Sequence, residues 1–230
     1  MKPGQHGLAK AWLAILALLV LAPAGLGAAE KAPKKRAYDK EYHFTKDSFT
    51  DKIPAWTKLL AELKGKPGLQ YLEIGTYEGR SALWMLENIL THPTARLTII
   101  DAFEEHTLAR FTANVNLSGE AAKFEVKVGP STDKIREVPL NSVDLAYVDG
   151  SGRGIIMLSD LVATWHLVKV GGTIICSRYN LNPALRHALS LQAADPGPHE
   201  AIDAFLKMFG PYLTTVAVQG NYVMVRKTRT

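Results

Sequence analysis

The feature that most limits the fold of this chain is an alternation between short apolar runs and amphipathic stretches with helical spacing. It begins near residue 42, and the apolar runs are 71–74, 97–100, 124–128, 143–148 and 173–176. The helix candidates between them are 80–91, 104–116, 131–137 and 155–168. Such alternation is typical of parallel strands joined by crossover helices. The sequence therefore predicts an α/β protein with helices on both faces of a parallel sheet.

The end of the chain departs from this alternation. Two strand-like runs, 214–219 and 222–226, are separated only by Gly220 and Asn221. A two-residue Gly-Asn connection is typical of a tight hairpin. The last two strands are therefore expected to be antiparallel.

The beginning of the chain is not expected to be part of the fold. Lys2 and Lys10 precede an uncharged, Leu- and Ala-rich stretch, 11–29, which ends in small residues. Residues 1–29 are thus predicted to be a signal peptide, with a membrane anchor as the alternative, because about 20 apolar residues can span a bilayer. A basic linker, 30–41, would precede a domain at 42–230. We expect an exported protein; the alternative is an anchored one whose domain faces the cytosol.

The formal charge of +5 invites a nucleic-acid partner, but the position of the charges argues against one. Much of the excess lies in the linker, at Lys31, Lys34, Lys35, Arg36 and Lys40. This cluster is short and contains a single aromatic residue, Tyr38, rather than a series of rings that would stack on bases. We expect no nucleic-acid partner, and membrane association only through the N-terminal segment. The single cysteine, Cys176, excludes an internal disulfide framework and a Cys-based zinc site.

A glycine-bearing loop, 73–81, lies where the first apolar run gives way to a helix. Glycines allow a tight turn and a close approach to a ligand, and the start of a helix offers unpaired N–H groups. Asp101 ends the next strand, 22 residues beyond Gly79, where a carboxylate can bind ribose hydroxyls. Loop and acid together indicate an adenosine-containing cofactor.

The residue before the loop helps to choose between cofactors. Glu73 stands two places before Gly75, where a dinucleotide fingerprint has its first glycine. A carboxylate there would repel a pyrophosphate but can receive an ammonium group, directly or through water. This favours S-adenosylmethionine, which is zwitterionic at its amino-acid end. A dinucleotide-dependent oxidoreductase, and a plain turn in some other α/β protein, stay as alternatives.

From Phe44 to Lys227 the chain resembles the class I S-adenosylmethionine-dependent methyltransferases. The similarity is to a group of small bacterial methyltransferase domains and, more distantly, to catechol O-methyltransferases. It is carried by the segments 73–79, 128–131, 143–151, 167–172 and 201–206. The resemblance implies a Rossmann-like class I methyltransferase fold, with a seven-stranded, mostly parallel sheet and an antiparallel C-terminal hairpin strand.

The resemblance also implies roles for individual residues. The implied cofactor-binding residues are Glu73, Gly75, Tyr77, Gly79, Ser81, Asp101, Gly129, Ser131 and Asp149. The amino-acid end of the cofactor would lie against the loop, with Ser81 touching its carboxylate. Asp101 would hold the ribose, Gly129 and Ser131 would lie on the adenine side, and Asp149 would face the methyl-transfer centre.

Three positions depart from the family pattern. Gly152 replaces a histidine, and Ser177 and Arg178 replace two aspartates at the end of strand five. Metal-using relatives take ligands from the ends of strands four and five, and a magnesium-type ion needs several oxygen ligands. The sequence therefore predicts no metal site. Arg178, predicted to be catalytic together with Asp149, would hold an acidic substrate or stabilise an oxyanion.

These observations favour O-methylation of a small molecule without a metal. Because no obvious general base remains, the alternative is an exported, catalytically inactive methyltransferase-like binding protein, and enzymatic turnover stays open. His187 and His199 follow strand five and could reach the pocket, but each is expected to be an exposed loop residue.

Overall fold

The computed structural model describes residues 42–180, 192 and 195–230. The predicted leader and basic linker, together with His187, lie outside these residues. The strands are β1 Gln70–Ile74, β2 Arg96–Asp101, β3 Phe124–Val128, β4 Val143–Val148, β5 Val168–Ser177, β6 Leu213–Gln219 and β7 Tyr222–Lys227. The helices are α1 Ile53–Leu59, α2 Arg80–Asn88, α3 Glu105–Ser118, α4 Ser131–Lys134, α5 Gly154–Leu167 and α6 Pro198–Phe209. None of these helices combines the length and apolar character needed to cross a bilayer.

The strands form one seven-stranded sheet in the order β3-β2-β1-β4-β5-β7-β6. Strands β1 to β5 pair in parallel, whereas β7 is antiparallel to both of its neighbours, β5 and β6. Gly220 takes a positive φ of 55° in the turn between β6 and β7. The predicted sheet with its antiparallel C-terminal hairpin strand is confirmed.

Strand side chains alternate between two cores, as the pleat of a strand requires. Tyr71 and Tyr147 point to one face, where α1, α2 and α3 pack. Leu72, Ile74 and Val148 point to the other, beneath α5 and α6. Since residues two apart share a face, Glu73 lies on the side of Tyr71, within an apolar layer and with no exposed surface.

The predicted helices occur, and the differences lie at their ends. The stretch predicted as a helix at 131–137 is α-helical only in α4 and continues as a 3₁₀ turn, Ile135–Glu137. Val138 then becomes extended, with φ −91° and ψ 128°, because Pro139 disfavours helical geometry in the residue before it. Helix α2 ends at Asn88 rather than near 91, and the carbonyl of Ile89 accepts a hydrogen bond from the N–H of Gly65.

The parallel strands direct their carboxyl ends to one edge of the sheet. The chain runs outward from β1 through β2 and β3, and then returns to the other side of β1 to form β4 and β5. Ligand sites of open α/β sheets lie at such a reversal, outside the carboxyl ends of the strands. The fold therefore directs attention to the loops after β1, β2, β4 and β5.

Candidate functional site

Two adjoining cavities open at this edge. The first, about 330 Å³, has apolar walls that include Ile74, Ile100 and Ile156, and we call it the apolar cavity. The second, about 400 Å³, is lined by cations, carboxylates and aromatic rings, and we call it the charged cavity. Both are lined by Gly75, Asp101 and Gly150, so that the two cavities meet at the ends of β1, β2 and β4.

The two loop glycines serve different contacts. Gly75 has a φ of 84°, and a Cβ atom there would lie 2.4 Å from the Cα of Gly150 and 2.6 Å from the carbonyl oxygen of Asp149. The loop after β1 can therefore lie against the loop after β4 only with glycine at this position. Gly79 has a φ of 89°, and its Cβ would meet the ring of Phe111 at 2.9 Å, so it serves the packing of α2 on α3.

Asp101 fixes the glycine loop. Its Oδ2 accepts hydrogen bonds from the N–H groups of Thr76 at 2.8 Å and Tyr77 at 2.9 Å. Its Oδ1 accepts one from the N–H of Phe103 at 2.8 Å. An ionised carboxylate has about four acceptor positions, so one is left on Oδ1 for a hydroxyl group. Asp101 both shapes the loop and keeps a place for a ligand where the cavities meet.

Glu73 lies beneath the loop rather than in a cavity. Its Oε1 accepts a hydrogen bond from the hydroxyl of Ser81, and its Oε2 accepts one from the hydroxyl of Tyr71 at 2.6 Å. Burial raises the pKa of Glu73 to about 7, although both hydrogen bonds act in the opposite direction. Because Ser81 itself lines the charged cavity, a contact between Glu73 and an ammonium group would run through Ser81 or water.

At the end of β4 and β5 an arginine holds an aspartate. Nε of Arg178 donates a hydrogen bond to Oδ1 of Asp149 at 2.8 Å. The same Nε and Nη2 of Arg178 also donate to the backbone carbonyl of Asp149, at 3.2 and 3.0 Å. The hydroxyl of Tyr147 donates to Oδ2 of Asp149 at 2.8 Å and lies 3.2 Å from Oγ of Ser177. Burial, followed by the charge of Asp149, raises the pKa of Tyr147 well above its usual range. Both carboxylate oxygens of Asp149 are therefore engaged.

No metal-binding cluster is found in the part of the chain that the structure describes. There, no three His, Cys, Asp or Glu side chains lie close enough together to hold a metal ion. Arg178 instead brings a guanidinium group to the end of β5, the position from which metal-using relatives take a ligand. Its backbone has a φ of 62°, a left-handed conformation that a non-glycine residue rarely adopts.

The outer wall of the charged cavity comes from the N-terminal part of the described chain. Buried Glu78 accepts two hydrogen bonds from Thr45, through its N–H at 2.6 Å and its hydroxyl at 2.7 Å, and pairs with Arg110 at 3.0 Å. Burial opposes ionisation, but these partners lower the pKa of Glu78. This anchor holds the segment that carries Phe44, Lys46 and Phe49 along the cavity.

The structure brings most of the predicted site residues together. Those lining a cavity are Gly75, Tyr77, Ser81, Asp101, Ser131, Asp149 and Arg178. Glu73 lies beneath the loop, Gly79 serves the packing of α2 on α3, and a Cβ atom on Gly129 would contact the side chain of Lys134. Exposed His199 contacts the carbonyl of Tyr179 and pairs with Asp203. The functional roles assigned to these residues stay predictions.

Sequence reasoning missed several lining residues, among them Phe44, Lys46, Phe49, Arg80 and Tyr147. Tyr147 had a usable signal, because it stands two places before Asp149 in the same strand and therefore shares its face. The residues of the outer cavity wall carried no such signal in the sequence, because the contact that anchors them joins Thr45 to Glu78, 33 positions further along the chain.

The sheet order, the antiparallel seventh strand and a two-part cavity at the reversal point define a class I methyltransferase fold. A family model described as a methyltransferase domain matches residues 72–177. The predicted resemblance to class I S-adenosylmethionine-dependent methyltransferases is thereby confirmed. The dinucleotide oxidoreductase and the inactive binding protein are not favoured.

Solved structures agree with this fold, and one curated sequence is similar to the chain. The chain is similar to the O-methyltransferase TomG of Streptomyces achromogenes, solved with S-adenosylmethionine, at 18% identity and a TM-score of 0.59, over 76% of this chain and 80% of that one. It is also similar to an O-methyltransferase of Bacillus cereus that was solved with S-adenosylhomocysteine. The identity is 15% and the TM-score 0.59, over 100% of this chain and 93% of that one. An uncharacterized protein of Acanthamoeba polyphaga mimivirus is 25% identical over 182 residues, 70% of this chain and 79% of the relative.

Proposed function

We propose that this protein binds S-adenosylmethionine at the edge of the sheet and methylates an oxygen atom of a small molecule without a metal ion. The observation that carries the proposal is the two-part cavity, with Asp101 where its halves meet. The solved structures named above, which include complexes with S-adenosylmethionine or its demethylated product, support the choice of cofactor.

The residues of the two cavities fit the two ends of this cofactor. Adenine would lie in the apolar cavity, where Ser131, Thr132 and Ser151 can contribute hydroxyl groups between the isoleucines. A ribose hydroxyl would take the remaining acceptor position of Asp101. The amino-acid end would enter the charged cavity, where Ser81 lies and where the ammonium group of Lys46 can face its carboxylate.

When bound, the cofactor supplies an electrophilic methyl group on a sulfonium. The chain's own residues would position the acceptor and exclude water. Arg178 is only about a quarter exposed and would hold a negatively charged acceptor oxygen against the transfer centre. The aromatic rings of Phe44, Phe49 and Tyr147 line the same space and would keep it dry. Orientation of donor and acceptor can supply several kcal/mol of the barrier, about 7 or more in favourable cases, without a proton-transfer group.

Removal of Asp101 tests the cofactor site. In calorimetry of the full chain, we expect Asp101→Ala to weaken S-adenosylhomocysteine binding at least about tenfold, since the loop loses its anchor and the ribose its acceptor. Glu105→Ala, which removes an exposed carboxylate at the start of α3, is the matched control and should bind as the wild type does. No binding by the wild type at millimolar ligand would refute the proposed function.

Chelation tests the absence of a metal. With labelled S-adenosylmethionine, we expect excess EDTA to change the rate of methyl transfer by less than about twofold, because Arg178 already bonds Asp149, the acid at the end of β4. Added Mg²⁺ should likewise leave the rate unchanged. Loss of transfer in EDTA and its recovery with Mg²⁺ would show that Arg178 does not replace the ion.

A further inference from the structure

We propose, on the basis of the function proposed above, that the methyl acceptor is a carboxylate and that the product is a methyl ester. The inference depends on which proton acceptors and which hydrogen-bond donors remain free in the charged cavity.

The carboxylates of the charged cavity, its possible proton acceptors, already have partners. Among the described residues, the carboxylates that line the charged cavity are Glu78, Asp101 and Asp149. Each already accepts hydrogen bonds on both of its oxygens: Glu78 from Thr45 and Arg110, Asp101 from backbone N–H groups, and Asp149 from Arg178 and Tyr147. Glu78 and Asp149 are held in ion pairs with Arg110 and Arg178, and the acceptor position left on Asp101 would go to the ribose, so none of the three is a free base for the acceptor. A phenol, with a pKa near 10, or an alcohol, whose pKa is higher still, would have to lose its proton here, whereas a carboxylic acid with a pKa of about 4 arrives ionised.

Arg178 offers the charged cavity a hydrogen-bond donor for a negatively charged acceptor. Arg178 uses Nε and Nη2 to hold Asp149, and its Nη1 has no hydrogen bond to any residue that the structure describes. Arg80 also lines the cavity, but its Nη1 is turned to Thr50 and Asp47. Its guanidinium lies 4.5 Å over the ring of Phe44, with Nε buried and without a partner among the described residues. A guanidinium group whose outer edge is free and whose inner edge is fixed presents oriented donors to a carboxylate. Because Arg178 is fixed against Asp149 at the end of β4, it is the guanidinium that would face an acceptor at the transfer centre.

Methyl transfer to a carboxylate balances without a proton transfer. A carboxylate oxygen donates a lone pair to the methyl carbon, and the carbon–sulfur bond breaks with its electron pair passing to sulfur. The products are a neutral methyl ester and S-adenosylhomocysteine, and no proton moves. The negative charge of the acceptor and the positive charge of the sulfonium disappear together. A cavity from which water is excluded favours such a step, because neither reacting charge is held back by a hydration shell.

One probe separates the two kinds of acceptor. 4-Hydroxybenzoate carries both a carboxylate and a phenol, and it can be offered to the full chain with methyl-labelled S-adenosylmethionine. We expect the label to enter an ester, from which mild alkali releases labelled methanol. A methyl ether formed at the phenol would keep its label under the same treatment.

Binding provides a readout that does not depend on turnover. In calorimetry of the chain saturated with S-adenosylhomocysteine, benzoate should bind about tenfold or more tightly than benzamide, because a charge-assisted hydrogen bond to Arg178 is lost with the amide. Arg178→Met should remove this preference. The matched control is Lys169→Met, which breaks an ion pair with Asp144 at the opposite edge of the sheet and should keep it.

The outcomes separate the inference from the proposed function. Label that resists alkali, equal binding of benzoate and benzamide, failure of the saturated chain to bind benzoate, or a preference retained in Arg178→Met would each overturn the carboxylate acceptor. If S-adenosylhomocysteine itself does not bind, the proposed function fails instead. If it binds while benzoate shows no preference, only the inference about the acceptor fails.

Discussion

Replacing Gly75 by alanine is expected to lower the free energy of unfolding by about 3 kcal/mol, through backbone strain and overpacking together. At a φ of 84° a side chain strains the backbone, and its Cβ would lie 2.4 Å from the Cα of Gly150. The loops after β1 and β4 would have to separate, and both line the two cavities. We therefore also expect S-adenosylhomocysteine binding to fall at least about a hundredfold, equivalent to just under 3 kcal/mol.

A second glycine provides the control for backbone strain. Gly68 has a similar φ of 69°, but a Cβ atom there would meet nothing within 4 Å. Gly68→Ala should therefore lower the free energy of unfolding by only about 1 kcal/mol, the strain of the left-handed backbone conformation, and leave ligand binding intact. Urea denaturation and calorimetry of both variants make the comparison. Equal losses of stability would mean that the contact between the two loops contributes nothing.

The stability of the protein is expected to fall as the pH rises from 4.5 to 7, and Glu73 is the main reason. Burial raises the pKa of this carboxyl from 4.5 to about 7, so the folded state holds the proton more tightly than the unfolded state. Below pH 4.5 both states are protonated and the contribution is fully present. As the pH rises the unfolded chain ionises first, and roughly 3 kcal/mol is lost by the time the pH passes 7.

Glu73→Gln isolates this contribution. The amide does not titrate, so urea denaturation at several pH values should show a smaller fall for the variant than for the wild type. A residual fall is expected in both, because burial also raises the pKa of Asp160 to about 6. Glu125→Gln, at an exposed carboxylate on β3, should retain the wild-type profile. If Glu73→Gln loses stability in parallel with the wild type, Glu73 ionises in the folded protein as it does in the unfolded chain.

The sheet could be predicted because its signals are local. Gly220 and Asn221 are enough to indicate the final hairpin, and an apolar run followed by a glycine loop places β1 before α2. Helix ends were less predictable. Thus the helix predicted at 131–137 is α-helical only to Lys134, and the sequence pattern does not indicate where it tightens into a 3₁₀ turn.

The sequence could predict site residues only where they belong to one local motif, and not where the site depends on contacts between distant segments. The parallel register that sets Val148 beside Cys176 brings Asp149 to the guanidinium of Arg178, and nothing in either segment alone indicates their contact. In the same way, the anchor between Thr45 and Glu78 depends on the packed fold. Asp101 was predicted to serve a ligand, but its bonds to three backbone N–H groups follow from a loop conformation that the sequence pattern does not specify.

Strand β7 lies between β5 and β6 rather than at the edge of the sheet, and this affects the order in which the sheet can be assembled. During synthesis β5 emerges well before β7, and its outer side has no partner until residues 222–227 leave the ribosome. An open strand edge invites pairing with other chains. Lys227, which is almost fully buried and bonds the carbonyls of Trp165 and Val168, also arrives only then. The domain therefore stays incompletely folded until β7 has been synthesised, and a chain truncated before residue 222 would leave the outer side of β5 unpaired.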